Sequence, residues 1–332
     1  MDVLSDVLAA VRLTGAIFFD WHFTEPWVGE SPSSRVIASR VMPQAEHVIL
    51  FHIVLDGACW IAVAGSDDFV QLVAGDVIIL PKGDATVIAS GPRMRPDAPD
   101  LSVYDPPMNR ALPLVFRQGG GGDMSCRLVC GFLGCDARPF NPMLEALPQI
   151  VIRQLSDASR NWMSSLMQLA AQETESAATG GEAMLAKLAE LMFVEVLRKY
   201  VDELPADSRG WLSALRDRQL SRAMRLIHAR PERAWTIDAL AQEAGLSRSA
   251  FAHRFSSMMG TSPMQYLARW RMQLAARRLE APGVSVAQVG AEVGYDSEAA
   301  FNRAFKKYVG MPPGTWRKGR GLPIGGLANL AQ

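Results

Sequence analysis

No run of about 18 apolar residues occurs anywhere in this chain, which excludes a helical membrane span of ordinary length. Nor does a basic leader open it. Met1-Asp2-Val3-Leu4-Ser5-Asp6 is acidic where a secretory signal is positively charged, so the expectation is a cytoplasmic protein with no membrane partner. The four cysteines are then expected to be reduced, and none stands in the Cys-x2-Cys spacing of a zinc site. Net charge is lacking as well, with 34 basic and 34 acidic residues.

That balance hides an asymmetry. From Arg216 to Lys318 there are 17 Lys and Arg against 8 Asp and Glu, which leaves 17 against 26 elsewhere. A neutral chain with one basic region has the charge footprint of a nucleic-acid-binding module joined to something else. The basic region is also duplicated. Glu243-Ala-Gly245 matches Glu292-Val-Gly294, and Phe251, Phe255, Gly260 and Pro263 match Phe301, Phe305, Gly310 and Pro313, with Tyr266 answered by Trp316. Each copy reads as a short helix, a glycine turn and a second helix with Phe at i and i+4 on one face. Two such helix-turn-helix units in tandem point to double-stranded DNA.

The first 135 residues follow a different pattern. Val48–Val54, Cys59–Ala64, Phe69–Val73, Val77–Leu80 and Val87–Ala89 are short Val- and Ile-rich runs. Asp56-Gly57, Gly65–Asp68, Gly75-Asp76 and Pro81–Asp84 break them, which predicts an antiparallel barrel or sandwich. Gly91–Asp105 reads as a loop and the glycines Gly119–Gly122 as a mobile one. From about Pro148 the pattern turns helical. Ala170–Gly181 reads as a flexible connection to a helix over Met184–Tyr200, whose Leu185, Leu188, Leu191 and Met192 form one stripe. That stripe is expected either to make a homodimer or to pack on its own barrel.

These residues carry a resemblance. Val293-Gly294-Tyr295-Asp296-Ser297-Glu298-Ala299-Ala300-Phe301, continuing to Gly310 and Pro313, resembles the signature region of the AraC/XylS transcription regulators. Pro263, Tyr266, Trp270, Arg271 and Ala275 resemble the start of the helix that joins the two units in that family. The likeness spans about Leu215–Lys318. Phe51-His52-Ile53-Val54-Leu55-Asp56-Gly57 with Trp60, and Ala74–Asp84, resemble the cupin-type sensory domain fused to many such regulators. The resemblance implies an α+β multidomain protein, an N-terminal antiparallel β jelly roll followed by an all-α DNA-binding domain. The expected division is 1–140 sensory domain, 141–208 helical linker with the dimerisation helix, 209–318 DNA-binding domain and 319–332 flexible tail.

Cupin enzymes hold a metal with histidines from two motifs. Here Gly75, Pro81 and Gly83 fit the second motif, but the ligand position is Thr86. In the first, His52 stands near the expected place with His47 five residues away, on the opposite face of a strand. A catalytic metal needs about three protein ligands, so no metal, no cofactor and no enzyme activity are expected. The competing readings are a cupin metalloenzyme with an accessory helical domain, and a constitutive DNA-binding protein with a non-sensing barrel.

In the first unit Thr236 is the expected N-cap of Ile237–Ala244, and Ser247 caps a recognition helix running to about Met259. Ser247, Arg248, Ser249, His253 and Arg254 are its candidates for base and phosphate contact, with Ala250, Phe251 and Phe255 facing the core. In the second, Ser285 and Gln288 read as a capping box and Asp296 or Ser297 as the next cap. Ser297, Glu298, Asn302, Arg303, Lys306 and Lys307 are the candidates there. Arg303 is open between contact and scaffold, and Lys306 and Lys307 suit phosphates better than bases. His52, Trp60, Cys126, Cys130 and Cys135 are candidates for effector or oxidant sensing, against the alternative that the thiols are small buried hydrophobes. Trp21, Trp27, Trp60, Phe51 and Met42 could line an effector pocket. Promoter DNA, RNA polymerase and a small-molecule or oxidant effector are the expected partners.

Overall fold

The computed structural model describes residues 2–105, 113–154, 161, 165 and 180–319. Most of the expected connection before the long helix, and all but the first residue of the expected tail, lie outside them. In chain order the first elements are α1 (Val3–Ala10), β1 (Thr14–Thr24), β2 (Val28–Ser31), α2 (Ser34–Val41), β3 (His47–Val63), β4 (Val70–Val73), β5 (Asp76–Leu80) and β6 (Thr86–Ala89). A 3-10 turn at Leu101–Tyr104, β7 (Leu114–Gly119), β8 (Met124–Cys135), α3 (Pro142–Ala146), β9 (Val151–Gln154) and α4 (Gly181–Asp202) follow. The rest is helical: α5 (Trp211–Arg216), α6 (Arg218–Ala229), α7 (Ile237–Ala244), α8 (Arg248–Met259), α9 (Pro263–Arg278), α10 (Val286–Glu292), α11 (Glu298–Val309) and α12 (Pro313–Gly319).

These elements form two compact units, and their limits differ from the expected 1–140 and 209–318. Among the described residues, those within 13–135 and 147–203 make one, and those within 1–12, 136–146 and 204–332 make the other.

The first unit is built on β3. Asp56-Gly57, expected as a turn that breaks the strand, is instead a bulge within it, where the register with β8 shifts between Val54 and Asp56. Gly57 has φ of 72°, and a Cβ there would meet the Ser125 carbonyl oxygen at 1.9 Å. Before the bulge β3 pairs with β5 and β8; beyond Gly57 it pairs with β4 and β6. One strand thus serves both faces of a cupin-like half-barrel. The pairing is antiparallel except for β1 with β7, which run parallel. In the glycine run, Gly119, Gly120 and Gly122 lie against neighbouring backbone. Gly120 N–H donates to Thr24 O and Gly122 N–H to Glu25 O, and a Cβ on Gly120 would meet Pro26 at 2.3 Å.

The stripe on α4 packs on its own barrel. Leu185, Leu188 and Met192 are buried, while Leu191 remains 53% exposed. A Cβ on Gly15 of β1 would meet the Ala186 carbonyl at 2.5 Å, so glycine lets the helix lie directly on the strand.

In the helical unit, α9 is the central element, with Tyr266, Trp270, Met272 and Ala275 buried along it. Two segments distant in sequence complete it. Gln273, only 1% exposed, accepts from Phe140 N–H at 3.0 Å and donates to Ala10 O at 3.3 Å. Arg12 grips Asp136 with two hydrogen bonds of 2.9 and 2.8 Å and reaches Glu280 at 2.6 Å.

Candidate nucleic-acid interface and barrel cavity

The duplication seen in sequence holds in atomic detail. Thr236 Oγ1 accepts from Ala239 N–H to start α7, and Gly245 ends it in the left-handed region at φ of 70°. Ser247 Oγ then accepts from Ala250 N–H to start α8. Ser285 Oγ accepts from Gln288 N–H at α10, and Ser297, rather than Asp296, caps α11 through Ala300 N–H. The expected capping box at Ser285 is only half made, because the Gln288 amide turns instead to Glu292 at 3.0 Å. A complete box forms at Ser262 and Gln265 at the head of α9.

Each recognition helix is pinned by its phenylalanine pair. Phe251, Phe255, Phe301 and Phe305 are all fully buried. Phe255 meets Tyr266 with centroids 5.9 Å apart, and Phe305 meets Trp316 at 6.1 Å, so the residues matched in sequence do matched work. With these rings turned inward, helical geometry turns Arg248, Ser249, His253 and Arg254 outward on α8, and Glu298, Arg303, Lys306 and Lys307 outward on α11; all eight are exposed. Ala250, expected in the core, is exposed as well, because it precedes the buried Phe251 on the side of the helix turned away from the core. Arg303 stands in solvent rather than in the scaffold.

The exposed residues differ in freedom. Arg254 is held by Asp217, with bonds of 2.9 and 2.6 Å. Asp217 also caps α6 through Gln219 and Leu220 N–H. Burial pushes the Asp217 carboxyl up, but Leu220 N–H and Arg254 outweigh it and hold its pKa below the ordinary value. Arg248 pairs loosely with the exposed Asp238 at 3.3 Å. Asn302 is partly tied, donating to Glu298 O at 2.9 Å.

The candidates in the barrel are scattered. His52 and Cys130 meet across β3 and β8, with Nδ1 2.8 Å from Sγ, and line a cavity of about 580 Å³. Trp21 and Trp27 line it too; Phe51 and Met42 do not. Trp60 and Cys59 instead line a separate depression with Glu25 and Asp123. Cys126 lies in the barrel core beside Cys59, and the buried Cys135 ends β8 outside that core cluster. A hydrogen bond donated to Cys126 and burial push the Cys59 thiol up, and burial does the same to Cys130. His47 is turned away, its Nε2 2.6 Å from Pro81 O. Thr86 is fully buried on β6, and no three His, Cys, Asp or Glu side chains cluster to hold a metal among the described residues. Sequence reading missed Phe19, Phe23, Tyr104 and Phe116 of the cavity wall. The signal was present on β1, where Phe19, Trp21 and Phe23 recur at every second residue.

Comparison with known proteins fits both units. A cupin family model matches residues 2–202 and a helix-turn-helix domain model residues 240–319. The chain is 33% identical to an AraC-like transcription regulator of Streptomyces lividans over 97% of its own length and 100% of that protein's. It is 29% identical to the transcriptional regulator AlkR of Acinetobacter baylyi, over 82% of this chain and 89% of that one. Among solved structures it is similar to the DNA-binding domain of the global transcriptional factor AdpA in complex with a target DNA, at 29% identity and a TM-score of 0.29, over 30% of this chain and 90% of that one. The relatives are named as regulators, not enzymes, and no described helix is long and apolar enough to cross a membrane. The chain belongs to the AraC-like DNA-binding transcription regulators, with a cupin domain ahead of its paired helix-turn-helix units.

Proposed function

We propose that α8 and α11 both read promoter DNA, and that a small molecule held in the barrel controls this binding. The observation that carries the reading is the pair of outward faces fixed by the buried phenylalanines. They present Arg248, Ser249, His253 and Arg254 in one unit and Glu298, Asn302, Arg303, Lys306 and Lys307 in the other. Arg248 and Arg303 suit bidentate contact with guanine in the major groove, and Asn302 suits adenine once DNA competes for its amide. Ser247 and Ser297 carry the cap N-termini toward phosphate, and Lys306 and Lys307 neutralise phosphates near the helix end.

Two features favour a small molecule over an oxidant. The cavity is of ligand size, whereas Cys59 and Cys130 are buried thiols held protonated, the unreactive state. The route to DNA is covalent: β1 and β8 border the cavity, and their ends run directly into Arg12 and Asp136, whose clasp reaches Glu280 just beyond α9. A cytoplasmic location accords with this role, and so, where the protein acts as an activator, does contact with RNA polymerase at the promoter.

The test is selection of binding sites from a random DNA pool with the full chain, followed by titration across salt concentrations. A single preferred sequence should emerge, with log affinity falling linearly in log salt. Folded protein without sequence preference would overturn the reading.

A further inference from the structure

Around the barrel cavity the polar and apolar groups are sharply sorted. One wall is a stack of rings: Trp21 lies on Phe116 with centroids 4.4 Å apart and 18° between planes, Trp21 on Phe23 at 5.6 Å and 5°, and Phe23 on Trp27 at 3.8 Å and 12°. Phe19 and Tyr104 meet edge to face at 5.4 Å and complete the apolar lining. Of the charged residues of the lining, Arg95, Asp97, Asp100 and Arg117 are exposed and lie at the rim, and Glu30 on β2 is half-buried. Arg95 is further held there by its ion pair with Asp67.

Against this wall stands a single buried imidazole. His52 is 3% exposed, and among the described residues its Nε2 has no hydrogen-bond partner. Burial drives its pKa down to about 4, so the ring is neutral, and burial keeps the Cys130 thiol protonated. Of the two arrangements across the 2.8 Å contact, the thiol proton on Nδ1 is the better bond, since an imidazole nitrogen accepts more strongly than a thiol sulfur. Nδ1 is then the acceptor, and the ring proton sits on Nε2. A buried N–H donor without a partner is costly and rare, and at a cavity wall it marks where a ligand's acceptor belongs.

We propose that the cavity binds an uncharged, largely apolar molecule carrying one hydrogen-bond acceptor, a carbonyl, ring ether or ring nitrogen, that meets Nε2 of His52. The ligand's neutrality follows from the absence of charge among the fully buried residues of the lining, where an ion would lose its water without compensation, and the half-buried Glu30 further disfavours an anion. A cation held by ring faces fits less well, because Phe23 and Trp27 cover each other's faces. The proposal rests on effector control through the barrel and adds the ligand's chemical class.

The test uses the full chain and a matched pair of probes, 9-fluorenone, which has the acceptor, and fluorene, which lacks it. Quenching of tryptophan fluorescence reads occupancy, since Trp21 and Trp27 form the wall. Fluorenone should bind about tenfold more tightly than fluorene, the share of one hydrogen bond. In His52→Phe that preference should fall to about one. Should His52→Phe not fold, the wild-type protein still decides: a shift of one buried imidazole N–H proton resonance on adding fluorenone, and none on adding fluorene, supports the proposal. Equal binding of the two probes, binding of neither, or tighter binding of benzyltrimethylammonium overturns it. Fluorenone preference without any change in DNA affinity would keep the site and remove effector control. DNA affinity that responds to cell metabolites while the two probes bind alike would keep effector control and remove this ligand class.

Discussion

The two helix-turn-helix units share their inside and differ on their outside. Within, Phe251 and Phe255 against Tyr266 repeat as Phe301 and Phe305 against Trp316, and both recognition helices begin at a serine cap and end at a left-handed glycine. Outside, α8 has both arginines on carboxylates, Arg248 on Asp238 and Arg254 on Asp217. By contrast α11 opens with Glu298 and ends with the exposed Lys306 and Lys307. Duplication preserved what folding requires and released what recognition uses. The first unit therefore trades some cationic reach for rigidity, and the second offers the more open surface.

The largest effect is expected where the units agree. Phe251→Ala and Phe301→Ala each remove a fully buried ring and should cost roughly 3–5 kcal/mol of stability, abolishing DNA binding at every sequence. Chemical denaturation followed by far-ultraviolet circular dichroism checks this, and a folded, binding Phe301→Ala protein would break the equivalence. Next come the exposed arginines proposed to read bases. Arg248→Ala and Arg303→Ala should leave the melting temperature alone and weaken binding by about 1–3 kcal/mol if each meets a base, with preference relaxed at one position. Binding titrations on a set of single-base variants would show it; loss spread evenly over all sequences would reassign that arginine to phosphate.

Arg254→Ala should act differently from both, since Arg254 is tied to Asp217. Loss of that pair should cost about 1 kcal/mol of stability, because Arg254 itself is half exposed. The sign with pH is fixed by Asp217. Its folded pKa lies below its unfolded one, so the pair stabilises fully above the ordinary carboxylate range and its contribution fades as pH falls through the folded value. The deficit of Arg254→Ala should thus be constant near neutrality and shrink below about pH 4. Urea titrations of wild type and variant at several pH values measure it, and a deficit that grows in acid would refute the assignment. The smallest effect belongs to Lys306→Ala and Lys307→Ala. Each should weaken all sequences alike and make the salt slope shallower by about one. An unchanged slope would place both lysines off the DNA.

Much of the framework of the two helix-turn-helix units was legible because its signals are local. A serine cap, a glycine stop and two phenylalanines four apart lie within one or two helical turns of each other, and the repeat supplied a second reading of the same pattern. The capping box at Ser285 misled because Gln288 has a competing partner, Glu292, one turn further on. The barrel was less legible. Asp56-Gly57 carries the local signature of a hairpin, and only its pairing with β8, some 70 residues away, makes it a bulge. The α4 stripe, Leu185, Leu188 and Met192, showed that a face must be covered but not by what, and Gly15 on β1 supplied the answer.

The sequence by itself determined the duplicated DNA-binding helices, their caps, their buried and exposed faces and the surplus of positive charge in the region that holds them. Those follow from residue type and spacing along one chain segment. Tertiary structure alone decided the membership of α1 and α3 in the helical unit, the burial of Gln273 between Phe140 and Ala10, and the meeting of His52 with Cys130 in the cavity. Each of these joins groups separated by 78 to 263 residues. No local propensity encodes such a contact; it forms because a buried polar group must find a partner, and only the completed fold brings the partner within reach.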